Sequence, residues 1–354
     1  MNILLLDQNF DSVDVIDSYE SVIWTDRYYE YGEFELYLPT SEKYLADAIQ
    51  DYYIYRNDSE HMMIIEKIEI NSDVEDGSHL ILSGRSLESI LTRRIVWSQT
   101  ILDGNLQNGV KRLISEAIIS PDISYRQIPN FIFKESTDPR ITNLKVQCQF
   151  TGDNLYDAVQ SICEEAGIGF KITLNQSKQF VFELYVGEDR SYDQTDHPYV
   201  IFSQRYDNII NSNYIESKME WCNVTLVAGE GEGEARRTQI TGETTAAGLY
   251  RRELYTDARD INSDNEAVTT TEYINQLIQR GNEKLAENKV YKMFEGDVDY
   301  LRMFVYGRDF FIGDICQIRN EYAMEARVRI TEFIVSENSS DGIKAYPTFA
   351  VLDE

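Results

Sequence analysis

The chain has 354 residues, 42% of them hydrophobic, which excludes a disordered protein and leaves room for about two or three domains. It carries 61 acidic and 33 basic side chains, a formal net charge of −28. Nucleic-acid binders and proteins on anionic membranes gain affinity from basic side chains, so this charge argues against specific binding to either. No apolar run approaches the roughly 18 residues of a transmembrane segment.

The first hundred residues are dominated by predicted strands, and the clearest signal is a hairpin at residues 21–39. Phe34, Leu36 and Leu38 alternate with polar neighbours, which is the period of a strand with one buried face. Trp24 lies in the preceding strand, and we expect it to pack in the core or at an interface. The other predicted strands here are 3–6, 52–55, 62–70, 80–83 and 95–97, and a short helix follows Gly84.

The next hundred residues mix helices and strands. An apolar stripe from Leu106 to Ala117 predicts one helix. Asp153 or Asn154 can cap a second helix, which Gly167 closes. A predicted hairpin with strands at 170–174 and 180–186 follows this helix.

The last part of the chain returns to strands around one long helix at about 266–288. The predicted strands are 200–203, 213–218, 224–227, 237–241, 251–256, 291–298, 314–318, 326–335 and 343–349. The predicted fold is therefore mainly β with α+β. Two antiparallel β-barrel tube domains, residues 1–100 and 199–354, flank or enclose an α+β domain at residues 101–198.

The sequence offers no residues in a known catalytic arrangement. The three histidines, His61, His79 and His197, have no catalytic spacing, and His61 and His79 are expected at strand ends or on the surface because both border predicted strands. Glu164 and Glu165 are expected on the solvated face of a helix. We therefore predict no catalytic residue, no cofactor and no enzymatic activity.

Metal binding has little support in the sequence. Four cysteines, at positions 148, 163, 222 and 316, lack Cys-x-x-Cys spacing, which favours isolated buried thiols in a reducing cytosol. Asp257, Asp260 and Asp264 resemble a calcium loop only loosely, because the glycine and glutamate of an EF-hand are absent. No metal site is predicted.

Basic residues occur in pairs that stand out in so acidic a chain. They are Arg93 with Arg94, Arg236 with Arg237, and Arg251 with Arg252. Each pair is either an ion-pair donor across an interface or a solvated edge. The glycine-rich segment 229–233 lacks the Lys-Ser/Thr of a phosphate-binding loop and predicts a flexible loop.

Five short blocks, collinear over almost the whole chain, carry a family resemblance. They are Y-E-S-V-I-W-T-D-R-Y-Y with G-E-F-E-L (19–36), G-R-S-L-E-S-I-L-T-R-R (84–94), N-L-Y-D-A-V ending in G-F (154–170), F-S with D-N (202–208), and G-D-I with R-I-T-E (313–332). Together these blocks resemble siphophage tail-hub proteins, which are similar in fold to the baseplate hub of contractile phage tails.

The resemblance implies a homotrimer at the virion tail tip, assembled in the cytoplasm of the bacterial host. Two barrels per subunit and three subunits would make a pseudo-sixfold ring that forms part of the DNA ejection conduit. The implied partners are other copies of itself, a hexamer of distal tail protein or the tail tube above, the C-terminus of the tape measure protein, and spike, fibre or receptor-binding proteins below. Many relatives extend into a peptidase, lysin or fibre, whereas this chain stops at Glu354. We therefore expect another subunit to digest the cell wall.

Two alternatives stay open. A receptor- or carbohydrate-binding tip protein would also be rich in strands and aromatic residues. A carboxylate-dependent cell-wall hydrolase would need a cleft that holds a carboxylate of raised pKa. Under the hub hypothesis, acidic side chains in a conduit would repel passing phosphates.

Overall fold

A computed structural model describes residues 3–73, 77–263, 268–298, 303–320, 322, 325–338 and 342–352. The strands are β1 (Ile3–Leu6), β2 (Ser12–Ile16), β3 (Ser21–Arg27), β4 (Glu33–Pro39), β5 (Tyr53–Arg56), β6 (Met62–Asp73), β7 (Gly77–Ser86), β8 (Thr100–Asn105), β9 (Phe131–Lys134), β10 (Lys145–Phe150), β11 (Gly169–Leu174), β12 (Phe180–Tyr185), β13 (Ile201–Ser203), β14 (Ile209–Ser217), β15 (Val224–Ala228), β16 (Thr238–Gly242), β17 (Glu253–Asp257), β18 (Tyr291–Val298), β19 (Ile315–Arg319), β20 (Glu325–Asn338) and β21 (Gly342–Val351). The α-helices are α1 (Glu42–Asp47), α2 (Leu106–Ile114), α3 (Pro139–Thr142), α4 (Leu155–Glu165) and α5 (Thr270–Glu287). The helices within the described residues lack the length and apolarity that a bilayer-spanning helix requires.

One large sheet contains strands from both β-rich parts of the chain. Its strand order is β14-β18-β21-β20-β3-β4-β7-β6-β5-β1-β2, with β19 beside β20 and β13 beside β19. The two parts meet where β3 pairs antiparallel with β20, from Ser21 opposite Asn338 to Arg27 opposite Glu332. The predicted mainly β fold with α+β and a long helix near the C-terminal end is confirmed.

The predicted hairpin is β3 and β4. Trp24 is paired with Phe34 across the two strands, and both side chains are buried. Leu36 and Leu38 continue the buried face, so alternation along β4 specifies which face enters the core. The same face packs against strands β1, β5, β6 and β7 through their apolar side chains.

The helices predicted in the middle of the chain form, whereas one strand predicted just before them does not and several strands were missed. Asn154 caps α4 by accepting a bond from the Tyr156 amide, and Gly167 follows its end with φ of +68°. The strand predicted at 95–97 is wrong, because Ile95 forms only an isolated bridge with Asn154. The Val96 amide donates to Asp153 and its carbonyl accepts from Gly152, so this backbone is paired with a turn rather than a strand. Strands β2, β8, β9 and β10 were not predicted.

A small unit of β16-β15-β17 and α5 lies between β14 and β18 in the chain. Helix α5 begins at Thr270 because Thr269 and Glu272 form a reciprocal capping box, whereas the predicted start near 266 lies outside the described residues. Tyr273 and Leu277 pack with Val227 in a core of its own. The glycine-rich segment 229–233 forms the loop after β15.

Candidate functional site: the joint of the large sheet

The side chain of Tyr28 lies where distant parts of the chain meet, just after β3. It is fully buried, and its ring lies against Gly169 at the start of β11 and Gly313 before β19. A Cβ atom at Gly169 or Gly313 would lie 2.5 or 2.3 Å from the ring, so only glycine fits at either position. Arg329 donates to the Tyr28 hydroxyl at 3.1 Å, while burial raises the pKa of Tyr28 to about 12.

The turn of the β3–β4 hairpin docks on the end of β7 and on α4 of the α+β part. Gly32 donates its amide to Ser86 Oγ at 2.7 Å, and the Ser86 amide donates to the Gly32 carbonyl at 2.9 Å. The Tyr31 amide donates to the hydroxyl of Tyr156 on α4 at 3.2 Å. Gly32 has no room for a side chain, because its Cβ would lie 2.2 Å from the Thr25 carbonyl oxygen.

A buried carboxylate fixes the segment that leads into β19. Asp314 accepts from the Glu188 amide at 2.7 Å and from Arg190 Nε at 2.7 Å. Burial raises the pKa of Asp314, and the Arg190 hydrogen bond opposes that rise. The blocks at 19–36, 84–94, 154–170 and 313–332 therefore meet in space, and we call the contacts around Tyr28, Gly32 and Asp314 the joint.

Charged groups are buried next to the joint. Asp26 accepts from Trp24 Nε1 at 3.1 Å and from the Tyr306 hydroxyl at 3.2 Å. The Arg56 guanidinium lies 5.1 Å from the centre of the Trp24 ring and pairs with Asp58. Because an unpaired charge in a core is costly, these bonds hold β3, β5 and the segment around Tyr306 together.

His61 lies in the same buried region: it borders β6, as the strand-end prediction has it, but it is buried and not on the surface. Its Nδ1 is 3.6 Å from Glu88 Oε1, which also accepts from the Ile172 amide at 2.8 Å. Burial lowers the pKa of His61, but Asp26, Glu88 and Glu60 together outweigh it and raise the value to about 9. With its pKa raised in this way, we expect His61 to be protonated at neutral pH. Its neighbours come from distant segments, which sequence spacing does not reveal.

The other two histidines are partly exposed and lie beside glutamates. His79 lies within β7, with Nδ1 2.9 Å from Glu20. His197 Nε2 is 3.1 Å from Glu188. The prediction for His79, a strand-end or surface position, fits a partly exposed residue near the start of β7.

Glu164 is exposed, as predicted, whereas Glu165 is only partly exposed because α5 packs beside the end of α4. Gln279 of α5 donates to Glu165 and, at 3.5 Å, to Glu283. Burial raises the pKa of Glu164, Glu165 and Glu283, in the last case to about 7. These helices line a cavity of about 400 Å³. We call this region the α4–α5 boundary.

The aspartates that loosely resemble a calcium-binding loop form ion pairs with arginines. Asp257 pairs with Arg236, and Asp260 pairs with Arg280 at 2.9 Å, while Asp264 lies outside the described residues. Across the residues that the structure describes, no group of three or more Asp, Glu, His or Cys side chains could hold a metal ion.

Most of the paired arginines bond within the chain. Arg93 pairs with Asp51, Arg236 with Asp257, Arg237 with Glu230 and Arg251 with Glu253, and Arg252 lies over the Trp221 ring. Arg94 forms no such side-chain contact among the described residues and donates to the backbone carbonyls of Arg93 and Arg126. All four cysteines are free, three of them are buried, and Cys222 is partly exposed.

The same fold occurs in solved phage tail proteins. The chain is similar to the tail protein from Neisseria meningitidis MC58, with 13% identity, a TM-score of 0.59 and coverage of 99% of this chain and 96% of that chain. It is also similar to the 43 kDa tail protein of prophage MuSo2 from Shewanella oneidensis, with 13% identity, a TM-score of 0.60 and coverage of 99% and 98%. Prophage tail protein gp18 from Listeria monocytogenes EGD-e gives 11% identity, a TM-score of 0.54 and coverage of 98% and 94%. At these identities the likeness is one of fold.

The sequence itself defines the family. The model of the Siphovirus ReqiPepy6 Gp37-like proteins matches residues 2–349, and the chain belongs to this family. No curated protein matches the chain.

Proposed function

We propose that this tail protein is the structural hub of a tail tip, a homotrimeric ring that joins a sixfold tail tube to a threefold tip. The observation that carries the proposal is the pairing of β3 with β20, which makes one sheet from both ends of the chain. We propose residues 1–100 and 199–354 as the two tube domains and 101–198 as the intervening α+β domain. Three chains would then supply six tube domains around one axis.

The joint suits this role because a ring under load needs its two tube domains at a fixed relative position. Arg27 at the end of β3 bonds Glu332 of β20 at 2.6 Å and Glu33 of β4 at 3.1 Å. These bonds of Arg27 and the close contact of Tyr28 with Gly313 connect the two tube domains, which would form adjacent sectors of the ring. Such a protein acts through geometry and requires no reactive group.

The acidic charge fits a DNA conduit. Glu33 and Glu35 lie on the outer face of β4, next to exposed Ile23, in a groove of about 490 Å³. Lys67 and Arg85 also line this groove, where they pair with Glu69 and Glu66, and Glu33 pairs with Arg27. If this face lines the lumen, its small excess of acidic side chains repels the phosphates of passing DNA. We propose as partners the tail tube or distal tail protein above, the tape measure protein, and the spike, fibre or receptor-binding proteins below, on a virion assembled in the host cytoplasm.

Native mass spectrometry of the purified chain, alone and with the adjoining tail protein, tests the proposal. We expect a trimer, or a monomer that joins a ring of that neighbour. A chain that stays monomeric in both samples at micromolar concentration would overturn the hub. In the assembled phage, Glu35→Gln should change the rate of DNA ejection, and an unchanged rate would remove the lumen assignment while leaving the trimer in place.

The α4–α5 boundary favours a second candidate, a carboxylate-dependent cell-wall hydrolase. Glu283 is a buried carboxylate of raised pKa beside a cavity, as a general acid requires. Release of dye from labelled peptidoglycan tests this function. Activity that Glu283→Gln abolishes would support a hydrolase, whereas equal release with and without the protein would exclude it.

A further inference from the structure

One surface of this acidic chain is basic and aromatic. It is formed by two segments, residues 93–97 and 123–126, and comprises Arg93, Arg94, Trp97, Ile123, Tyr125 and Arg126. We call it the arginine–aromatic patch. Arg126 holds the two segments together, because its Nη2 donates to the Ile95 carbonyl at 2.7 Å and its own carbonyl accepts from Arg94 Nε at 2.9 Å.

The aromatic residues of the patch are strongly exposed. Trp97 is 60% exposed and Tyr125 96% exposed, and Ile95 and Ile123 between them are also exposed. The Arg126 guanidinium lies 4.9 Å from the centre of the Trp97 ring. A cavity of about 400 Å³ lies on one side of this stacked pair and one of about 190 Å³ on the other. Exposed aromatic surface of this kind, held rigid by arginine, is typical of protein interfaces.

The charges of the patch are largely uncompensated. Arg93 pairs with Asp51 at 3.1 Å. Arg94 and Arg126 bond backbone carbonyls, and within the described part of the chain neither has a carboxylate at ion-pair distance. Burial lowers the pKa of Arg94, and the positive charges of Arg126 and Arg93 lower it further. The guanidinium groups are therefore positioned by carbonyls, with other N–H groups available to an anionic partner.

We infer that the arginine–aromatic patch is a subunit contact that receives an acidic surface of a second copy of this chain. The inference rests on the proposed trimer. Copies that each carry a net charge of −28 repel one another, so their association requires a local surface of opposite charge. In a cyclic trimer one patch meets a different surface of the next copy, which allows a basic patch to meet an acidic one. Arg, Trp and Tyr are also the residues that contribute most to binding at such contacts.

Sedimentation of patch variants over a range of concentrations tests the inference. We expect Trp97→Ala with Tyr125→Ala, and separately Arg94→Glu with Arg126→Glu, to weaken trimer formation at least tenfold. The matched controls are Leu249→Ala, at a fully exposed apolar residue, and Arg259→Glu, at an arginine with 70% side-chain exposure, and both should leave the trimer intact. Circular dichroism and thermal unfolding of every variant verify that it folds.

The outcomes separate the inference from the proposed function. Trimers of wild-type strength in both patch variants would overturn the patch and leave the hub in place. A wild-type chain that never self-associates would overturn both. Photocrosslinking from benzoylphenylalanine at position 125 gives the second measurement. We expect trimer-dependent crosslinks to an Asp- or Glu-rich peptide of another copy, and crosslinks to a tail protein other than this chain would overturn the assignment to a second copy.

Discussion

The joint around Tyr28 and the α4–α5 boundary attach neighbouring parts of the molecule in opposite ways. At the joint, an aromatic ring is enclosed by Gly169 and Gly313 with no space for a methyl group. At the boundary, the contacts are polar, such as the bonds of Arg280 to Asp260 at 2.9 Å and to the Gln149 carbonyl at 3.2 Å. A cavity of about 400 Å³ also remains there.

This difference has an energetic consequence. Burial of aromatic surface stabilises the joint at every pH, and close packing makes it intolerant of added volume. Carboxylates buried at the boundary destabilise it when they ionise, so the attachment of α5 depends on pH. We therefore expect substitutions at the joint to affect the whole sheet and substitutions at the boundary to have smaller, pH-dependent effects.

The largest expected effect is that of Trp24→Ala. Removing this buried ring also deprives Asp26 of a hydrogen-bond donor, and we expect a loss of about 3–5 kcal/mol in the free energy of unfolding. Urea denaturation measures the loss, and native mass spectrometry reports ring assembly. Ile23→Ala is the control, because Ile23 is the neighbouring residue of β3 and is 40% exposed. A Trp24→Ala protein of wild-type stability and assembly would show that the hairpin is not anchored in the core of the large sheet.

The second effect depends on the charge of His61. Its folded-state pKa of about 9 lies above the usual 6.5, so the folded protein holds the proton more tightly. The stabilisation is complete below pH 6.5 and is lost as the pH rises through 9. At 1.36 kcal/mol per pKa unit, a rise from 6.5 to about 9 corresponds to a loss of about 3 kcal/mol.

Thermal unfolding between pH 6 and 10 checks this expectation. The wild-type protein should lose stability over the interval, and His61→Gln should be less stable at pH 6 but lose less as the pH rises. His197→Gln, at a partly exposed histidine, should retain the wild-type slope. Equal slopes for wild type and His61→Gln would mean that His61 is neutral in the folded protein.

Short-range signals in the sequence suffice for much of the fold but not for the joint. The alternation of Phe34, Leu36 and Leu38 and the capping residues Asn154 and Gly167 act over a few positions, so β4 and α4 are predictable. Asp26 and Tyr306 are 280 positions apart, and only the folded sheet brings them together. A buried Asp within an apolar strand is nevertheless a signal that could have indicated a polar contact there.

The wrong predictions have a common physical origin in contacts that are distant in sequence. Residues 95–97 have strand-like side chains, but the backbone of Val96 is already bonded to residues 152 and 153. His61 borders a strand, as its position suggests, yet Glu88 covers it from another part of the chain. Likewise Glu165 lies on a polar helix face that Gln279 of α5 covers. The family resemblance indicates what these local signals miss, because four of its blocks meet at the joint, where residues distant in sequence are in contact.

A third test measures how tightly the joint encloses Tyr28. Gly313→Ala places a methyl group against the ring, and Gly152→Ala introduces the same residue at a similar φ, +80° against +89°, where nothing lies nearby. Both variants suffer backbone strain, so their difference isolates the clash. We expect Gly313→Ala to be about 1–3 kcal/mol less stable than Gly152→Ala in urea denaturation. Equal stability would mean that the joint can expand to accept a methyl group.

The smallest expected effect lies at the boundary, at Glu283. Its folded-state pKa of about 7 exceeds the usual 4.5 because burial, and the charge of Glu165, outweigh the opposing effects of Arg280, Gln279 and Lys284. The folded protein therefore binds this proton more tightly, and stability falls as the pH rises from 4.5 through 7. Glu283→Gln removes this fall, so we expect its free energy of unfolding to equal that of wild type near pH 4.5. At pH 8 it should be about 1–2 kcal/mol more stable than wild type, a modest difference because the adjoining cavity admits solvent.

The pH ranges of Glu283 and His61 overlap little, so one set of thermal unfolding curves distinguishes the boundary from the charged groups buried next to the joint. Between pH 4.5 and 6.5 the slope should change in Glu283→Gln and persist in His61→Gln, whereas between pH 7 and 9 the reverse should hold. Glu287→Gln is the matched control on α5, because this glutamate is more exposed and pairs with Lys284. If Glu283→Gln keeps the wild-type slope below pH 7, Glu283 is solvated and the boundary is not the pH-dependent attachment of α5.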